Sequence, residues 1–188
     1  WKESGSLRCK DPTPFLMAHR GYKRHYSETS MGSFVDAQNH GFQWIELDVV
    51  ITKDNEIVCS HNFDLERETI GSGYITELSY DALYPIIIEH NSKYNGQSVL
   101  PNLIDVFKKL DSHIKINVEV KSPFASDLST ARALSKIINY IPKNRIILSS
   151  FNPFVILYFK LFHRDIITGF LYQNPGYLWF VNWIHPSY

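Results

Sequence analysis

Short aliphatic runs recur along this chain, and each one ends on, or contains, a polar or ionisable side chain. Residues 15–18 stop at His19, 44–51 enclose Glu46 and Asp48, and 57–60 lead into His61. Residues 115–120 carry Glu119 and meet Lys121, 145–148 run into Ser149 and Ser150, and 166–171 form a last clear run. Between them lie stretches with helical spacing. Residues 33–40 have Ser33 as the expected N-cap and Gly41 as terminator, and 102–110 place Leu103, Val106, Phe107 and Leu110 on one face. Residues 129–141 and 153–162 continue the series, the latter with Pro153 in its first turn. Strand and helix in alternation specify an α/β protein with a parallel sheet. In a (β/α) barrel the C-terminal strand ends converge on one face, which carries the chemistry. The polar residues sit where that rule puts them.

The expected fold is therefore a (β/α)8 TIM-type barrel forming a single domain over 1–188, with residues 1–13 as an N-terminal extension. Residues 64–99, with Gly71, Gly73 and Pro85, read as an insertion or long loop after the third strand. A complete barrel takes about 250 residues. With six clear runs and a seventh candidate at 181–184, the chain is expected to lack the C-terminal strand or strands and to be a fragment.

Glu46 and Asp48 stand two apart in Ile45-Glu46-Leu47-Asp48-Val49. Strand alternation sends both carboxylates to one face and the aliphatics to the other, against the helices. Two like charges so close resist ionising unless a cation neutralises them. Glu119 is placed the same way in Asn117-Val118-Glu119-Val120-Lys121. Three carboxylates make a site for one hard divalent cation, Mg²⁺ or Ca²⁺. Zinc fits less well, because the histidines are not clustered and Cys9 and Cys59 have no ligand spacing. Equal numbers of basic and acidic residues, 19 of each, argue against a nucleic-acid partner.

These residues resemble a known family. His19-Arg20-Gly21, followed by Ser27-Glu28-Thr29, Ser33-Phe34 and Ala37, looks like the opening motif of glycerophosphodiester phosphodiesterases. The stretch from Ile45 to Val49, then Thr52-Lys53-Asp54 and Val58 through His61, is similar to its second motif. Val118 to Lys121 and Ser149-Ser150-Phe151 resemble later ones. The resemblance implies metal ligation by Glu46, Asp48 and Glu119, a general acid–base pair of His19 and His61, and phosphate binding by Arg20 and Lys121. Glu28 matches an acid near the metal, as a ligand or in the shell around it. The implied reaction is hydrolysis of a small glycerophosphodiester to glycerol 3-phosphate and an alcohol. The family usually has Asp after the second histidine where this chain has Asn62, and the late tryptophan-containing motif is not found. A phospholipase-type phosphodiesterase acting on lipid or lysolipid head groups, or an inactive binding barrel, are the alternatives. The aromatic stretch 177–183 keeps membrane association open without favouring it. The chain begins at Trp1, so a cytoplasmic and an exported protein are both compatible with it.

Overall fold

A computed structural model describes residues 16–88 and 98–172. The extension 1–13, the aromatic stretch 177–183 and the seventh-strand candidate at 181–184 lie outside them. In chain order the elements are β1 (Met17–His19), α1 (Met31–Asn39), β2 (Trp44–Ile51), β3 (Ile57–Cys59), α2 (Tyr80–Leu83), β4 (Ile87–Ile88) and β5 (Ser98–Val99). There follow α3 (Leu103–Lys109), β6 (Lys115–Val120), α4 (Ser129–Ile137), β7 (Ile146–Ser150), α5 (Pro153–Phe162) and β8 (Ile167–Phe170).

The main sheet runs β1-β2-β6-β7-β8, each neighbouring pair parallel. Every crossover passes through a helix, as in successive βα units of a (β/α) barrel. Helix ends follow their capping chemistry. Asn102 and Asn152 accept from the backbones of Ile104 and Phe154 at the starts of α3 and α5. In α1 the cap is Ser30 rather than the expected Ser33. The two serines form a reciprocal capping box, so Ser33 lies inside the helix.

The aliphatics of β2 do face the helices. Ile45, Leu47 and Val49 join one buried cluster with Phe34 and Ala37 of α1, Leu103 and Val106 of α3, and Leu134 of α4. Arg145 pins the end of α3 to the sheet: it is buried and donates to the carbonyls of Phe107, Leu110, Asp111 and Ile114.

A second expectation, the direction of the third run, is corrected. The run at 57–60, read as the third strand of the parallel series, is β3 and pairs antiparallel with β2. It is the return arm of a hairpin. Residues 52–56 turn it, with Asn55 at φ 66, a left-handed position that asparagine tolerates. The third parallel strand is β6. Residues 64–88 of the stretch expected as an insertion or long loop pack onto the hairpin. Leu65, Ile75, Leu83 and Ile88 pack with Val50, Val58 and Leu100 in a second buried cluster beside the hairpin.

This hairpin has a positional effect. Val49 pairs with Val120 of β6 and with Cys59 of β3, so β3 lies on the edge of β2 that β1 also occupies. β1 runs along that edge until His19 is level with Glu46, and β3 returns along it from the far end until Ser60 donates to the Asp48 carbonyl. The two strand ends meet head-on across Glu46–Asp48, each followed or ended by a histidine.

The chain leaves β1 through a tight turn, Arg20 at φ 55 and Gly21 at φ 82. A Cβ on Gly21 would lie 2.4 Å from Ser33 Oγ and 2.8 Å from the Ser33 carbonyl carbon. Gly21→Ala is thus expected to lower stability by about 3 kcal/mol, from left-handed strain plus overpacking against α1. Chemical denaturation would show it as a lower midpoint at constant slope.

Candidate active site

Glu46, Asp48 and Glu119 come together as the alternation of β2 and β6 requires, with Asp48 directly opposite Glu119 in the register. One carboxylate oxygen from each lies within 4.8 Å of the others. All three side chains are buried, Asp48 most completely. Neither Asp48 oxygen has an aligned hydrogen bond, so charge alone compensates it: Lys121 Nζ at 2.9 Å and Arg20 Nε at 3.3 Å. Lys121 also donates to Glu119 at 2.7 Å, and the Arg20 backbone N–H donates to Glu46 at 3.1 Å.

Three acids face two cations here, and the titration directions show the imbalance. Burial, then the neighbouring Asp48 charge, pushes the Glu46 carboxyl up to about 7. Burial likewise raises Glu119, against the opposing Lys121 hydrogen bond. For Lys121, burial works against the charge, but the Glu119 and Asp48 partners hold its ammonium above its usual range. Buried carboxylates left short of positive charge are the donor set that a hard divalent cation satisfies. By that measure Glu46, Asp48 and Glu119 could hold one such ion.

Glu28 is not among the three. It accepts from Arg20 at 3.0 Å and Lys23 at 2.7 Å, bonds that hold its carboxyl below its usual range despite burial. It steers the guanidinium whose Nε faces Asp48.

The two histidines flank this cluster. His19, at the tip of β1, is exposed and places Nε2 3.7 Å from Glu46. Burial lowers its basicity, and Arg20 adds to the effect. His61 follows β3 and is half-buried; burial and then Lys121 lower its basicity too. Both imidazoles are thereby held below their usual basicity.

Two residues near the cluster were not singled out from the sequence. Glu68 lies beneath His61, its Oε1 3.8 Å from Nδ1, and accepts from Asn62 at 2.8 Å. Asn117, level with Glu46 in the register, has a buried side-chain oxygen with no hydrogen-bond partner. Its place two residues before Glu119 is the signal that could have found it.

Residues 19–179 match the Glycerophosphoryl diester phosphodiesterase family. A glycerophosphodiester phosphodiesterase of Caldanaerobacter subterraneus is 30% identical over 162 residues, 84% of this chain and 66% of that protein. One of Bacillus altitudinis is 29% identical over 153 residues, 79% and 61% of the two chains. The chain thus spans under two thirds of the length of these relatives. Among solved structures, an Oleispira antarctica phosphodiesterase in complex with the product sn-glycerol-3-phosphate superposes with a TM-score of 0.78. It is 24% identical, the match covering 92% of this chain and 71% of that one. That likeness carries the barrel fold. With a family match across most of its length and the strand-end acids brought together, this chain belongs to the glycerophosphoryl diester phosphodiesterase family.

Proposed function

We propose that this chain carries the site for metal-dependent hydrolysis of a glycerophosphodiester to glycerol 3-phosphate and an alcohol. The observation that carries the reading is the buried trio Glu46, Asp48 and Glu119 within 4.8 Å, flanked by Arg20 and Lys121. The trio would hold Mg²⁺ or Ca²⁺, which when bound supplies Lewis-acid stabilisation of charge on the phosphoryl oxygens.

The chain's own residues do the rest. A phosphodiester gathers negative charge on its non-bridging oxygens as a nucleophile approaches. Arg20 offers a planar fork to that charge and Lys121 a point charge. Held from opposite ends of one strand edge, His19 takes the proton from the nucleophile and His61 gives one to the departing alkoxide. The Oleispira antarctica phosphodiesterase is in complex with the product sn-glycerol-3-phosphate, which supports this reading.

The test is release of glycerol 3-phosphate from glycerophosphocholine. Chelation with EDTA is expected to remove more than nine tenths of the rate, and added Mg²⁺ or Ca²⁺ to restore it. Full activity in chelator would end the metal reading, and no turnover of any glycerophosphodiester would end the functional one.

A further inference from the structure

We infer that Glu68 is a positioning residue for His61: its carboxylate holds the turn at residues 60–62 and fixes which imidazole nitrogen is left for proton transfer. The inference rests on the phosphodiesterase reading for its consequence but not for its geometry.

Glu68 is itself fixed. Its backbone N–H donates to Leu65 at 3.4 Å, and both the N–H and hydroxyl of Thr69 donate to the same carbonyl, at 2.9 and 2.7 Å. Leu65 is fully buried in the second hydrophobic cluster, so this turn is anchored. From it the Glu68 side chain, largely buried, reaches back to three consecutive residues. Ser60 Oγ donates to Oε2 at 3.3 Å, the His61 N–H to Oε2 at 3.4 Å, and Asn62 Nδ2 to Oε1 at 2.8 Å.

The His61 N–H and Asn62 Nδ2 can only donate, while the single Ser60 hydroxyl proton is shared with the Asn62 carbonyl at 2.9 Å. A carboxylate that only accepts is the ionised form, and these donors offset the burial that pushes the Glu68 carboxyl up. His61 Nδ1 then faces that anion at 3.8 Å, beyond direct hydrogen-bond range but well within Coulombic reach. A proton is favoured on the nitrogen nearest the negative charge. Nδ1 therefore keeps its proton, and Nε2 is left as the nitrogen that takes up a proton and gives it to the leaving group. The same logic fixes tautomer and ring orientation wherever a carboxylate backs a working histidine. Asn62 is the second half of the device. It ties Oε1 in place, and an exchange of Glu68→Gln with Asn62→Asp would keep that hydrogen bond with donor and acceptor reversed.

The experiment compares wild type, Glu68→Gln, His61→Ala, the double variant of those two, and Glu68→Gln with Asn62→Asp. On glycerophosphocholine, Glu68→Gln is expected to lower kcat about 10-fold or more with KM within about 2-fold. In the His61→Ala background the same change should cost almost nothing, and Asn62→Asp, which returns the hydrogen bond but leaves an amide NH2 where Oε1 faced Nδ1, should not recover the loss. Histidine ¹⁵N spectra in mildly alkaline buffer give a readout independent of turnover. The His61 ring, assigned from its absence in His61→Ala, should be Nδ1-protonated in wild type and lose that preference in Glu68→Gln. Unchanged His61 ring signals, or an equal kcat loss with and without His61, would overturn the inference. A wild type without phosphodiesterase turnover would fail the proposed function alone, and the spectra would decide this one.

Discussion

Asp48→Asn is expected to give a folded protein whose turnover of glycerophosphocholine has fallen about 10²–10³-fold, or about 3–4 kcal/mol of lost transition-state stabilisation. The stability half of this expectation separates a functional cluster from a structural one. Removing one partner of a buried structural ion pair strands the other and costs about 3–5 kcal/mol. Here Asp48 is one of three acids set against Arg20 and Lys121. Asparagine removes surplus negative charge and leaves Glu46 and Glu119 to answer the two cations. Relief of repulsion on Glu46, whose carboxyl Asp48 helps push up to about 7, works in the stabilising direction. The two effects oppose, so the melting temperature should move little while activity collapses. Retained activity, or a collapse of both together, would contradict the assignment of Asp48 to a metal-holding trio.

His61→Ala is expected to cost about 10²–10⁴-fold on substrates that release a poor leaving group such as choline. It should cost far less on an activated p-nitrophenyl phosphodiester. An alkoxide needs its proton as the P–O bond breaks, whereas p-nitrophenolate is stable without one. The comparison divides the two histidines. His19→Ala removes help to the nucleophile, which both substrates require, and should slow the two about equally. A His61→Ala variant equally impaired on both would return the acid role to His19. Burial, with Arg20 beside His19 and Lys121 beside His61, lowers the basicity of both rings, and an acid acts from the imidazolium, which a less basic ring gives up more readily.

Much of this was legible in the sequence, and the exceptions share a cause. Residues 44–51 read as a buried strand with inward acids because alternation is a local property, and the structure keeps it. The run at 57–60 was equally legible as a strand, but its direction is not local. It depends on the partner edge, and only the shortness of 52–56 pointed to a hairpin, since a parallel crossover needs about a dozen residues. Reading β3 as parallel hides the return that sets its end against that of β1. Ser30 was passed over as the cap of α1 because Ser33 has the same chemistry three residues on, and only the capping box shows which of them stands outside the helix. Glu28, which the resemblance puts near a metal site as ligand or in the shell around it, bonds Arg20 and Lys23, and Arg20 faces Asp48.

The reach of the second imidazole is metered by the turn at 52–56. One residue gained or lost there would carry β3 a strand step, about 3.3 Å, along its neighbour and reverse which way every side chain on it points. His61 would then be carried away from His19 and the three acids though each of those stood in place. Where the second imidazole stands relative to the first is therefore written into a short loop near the front of the chain.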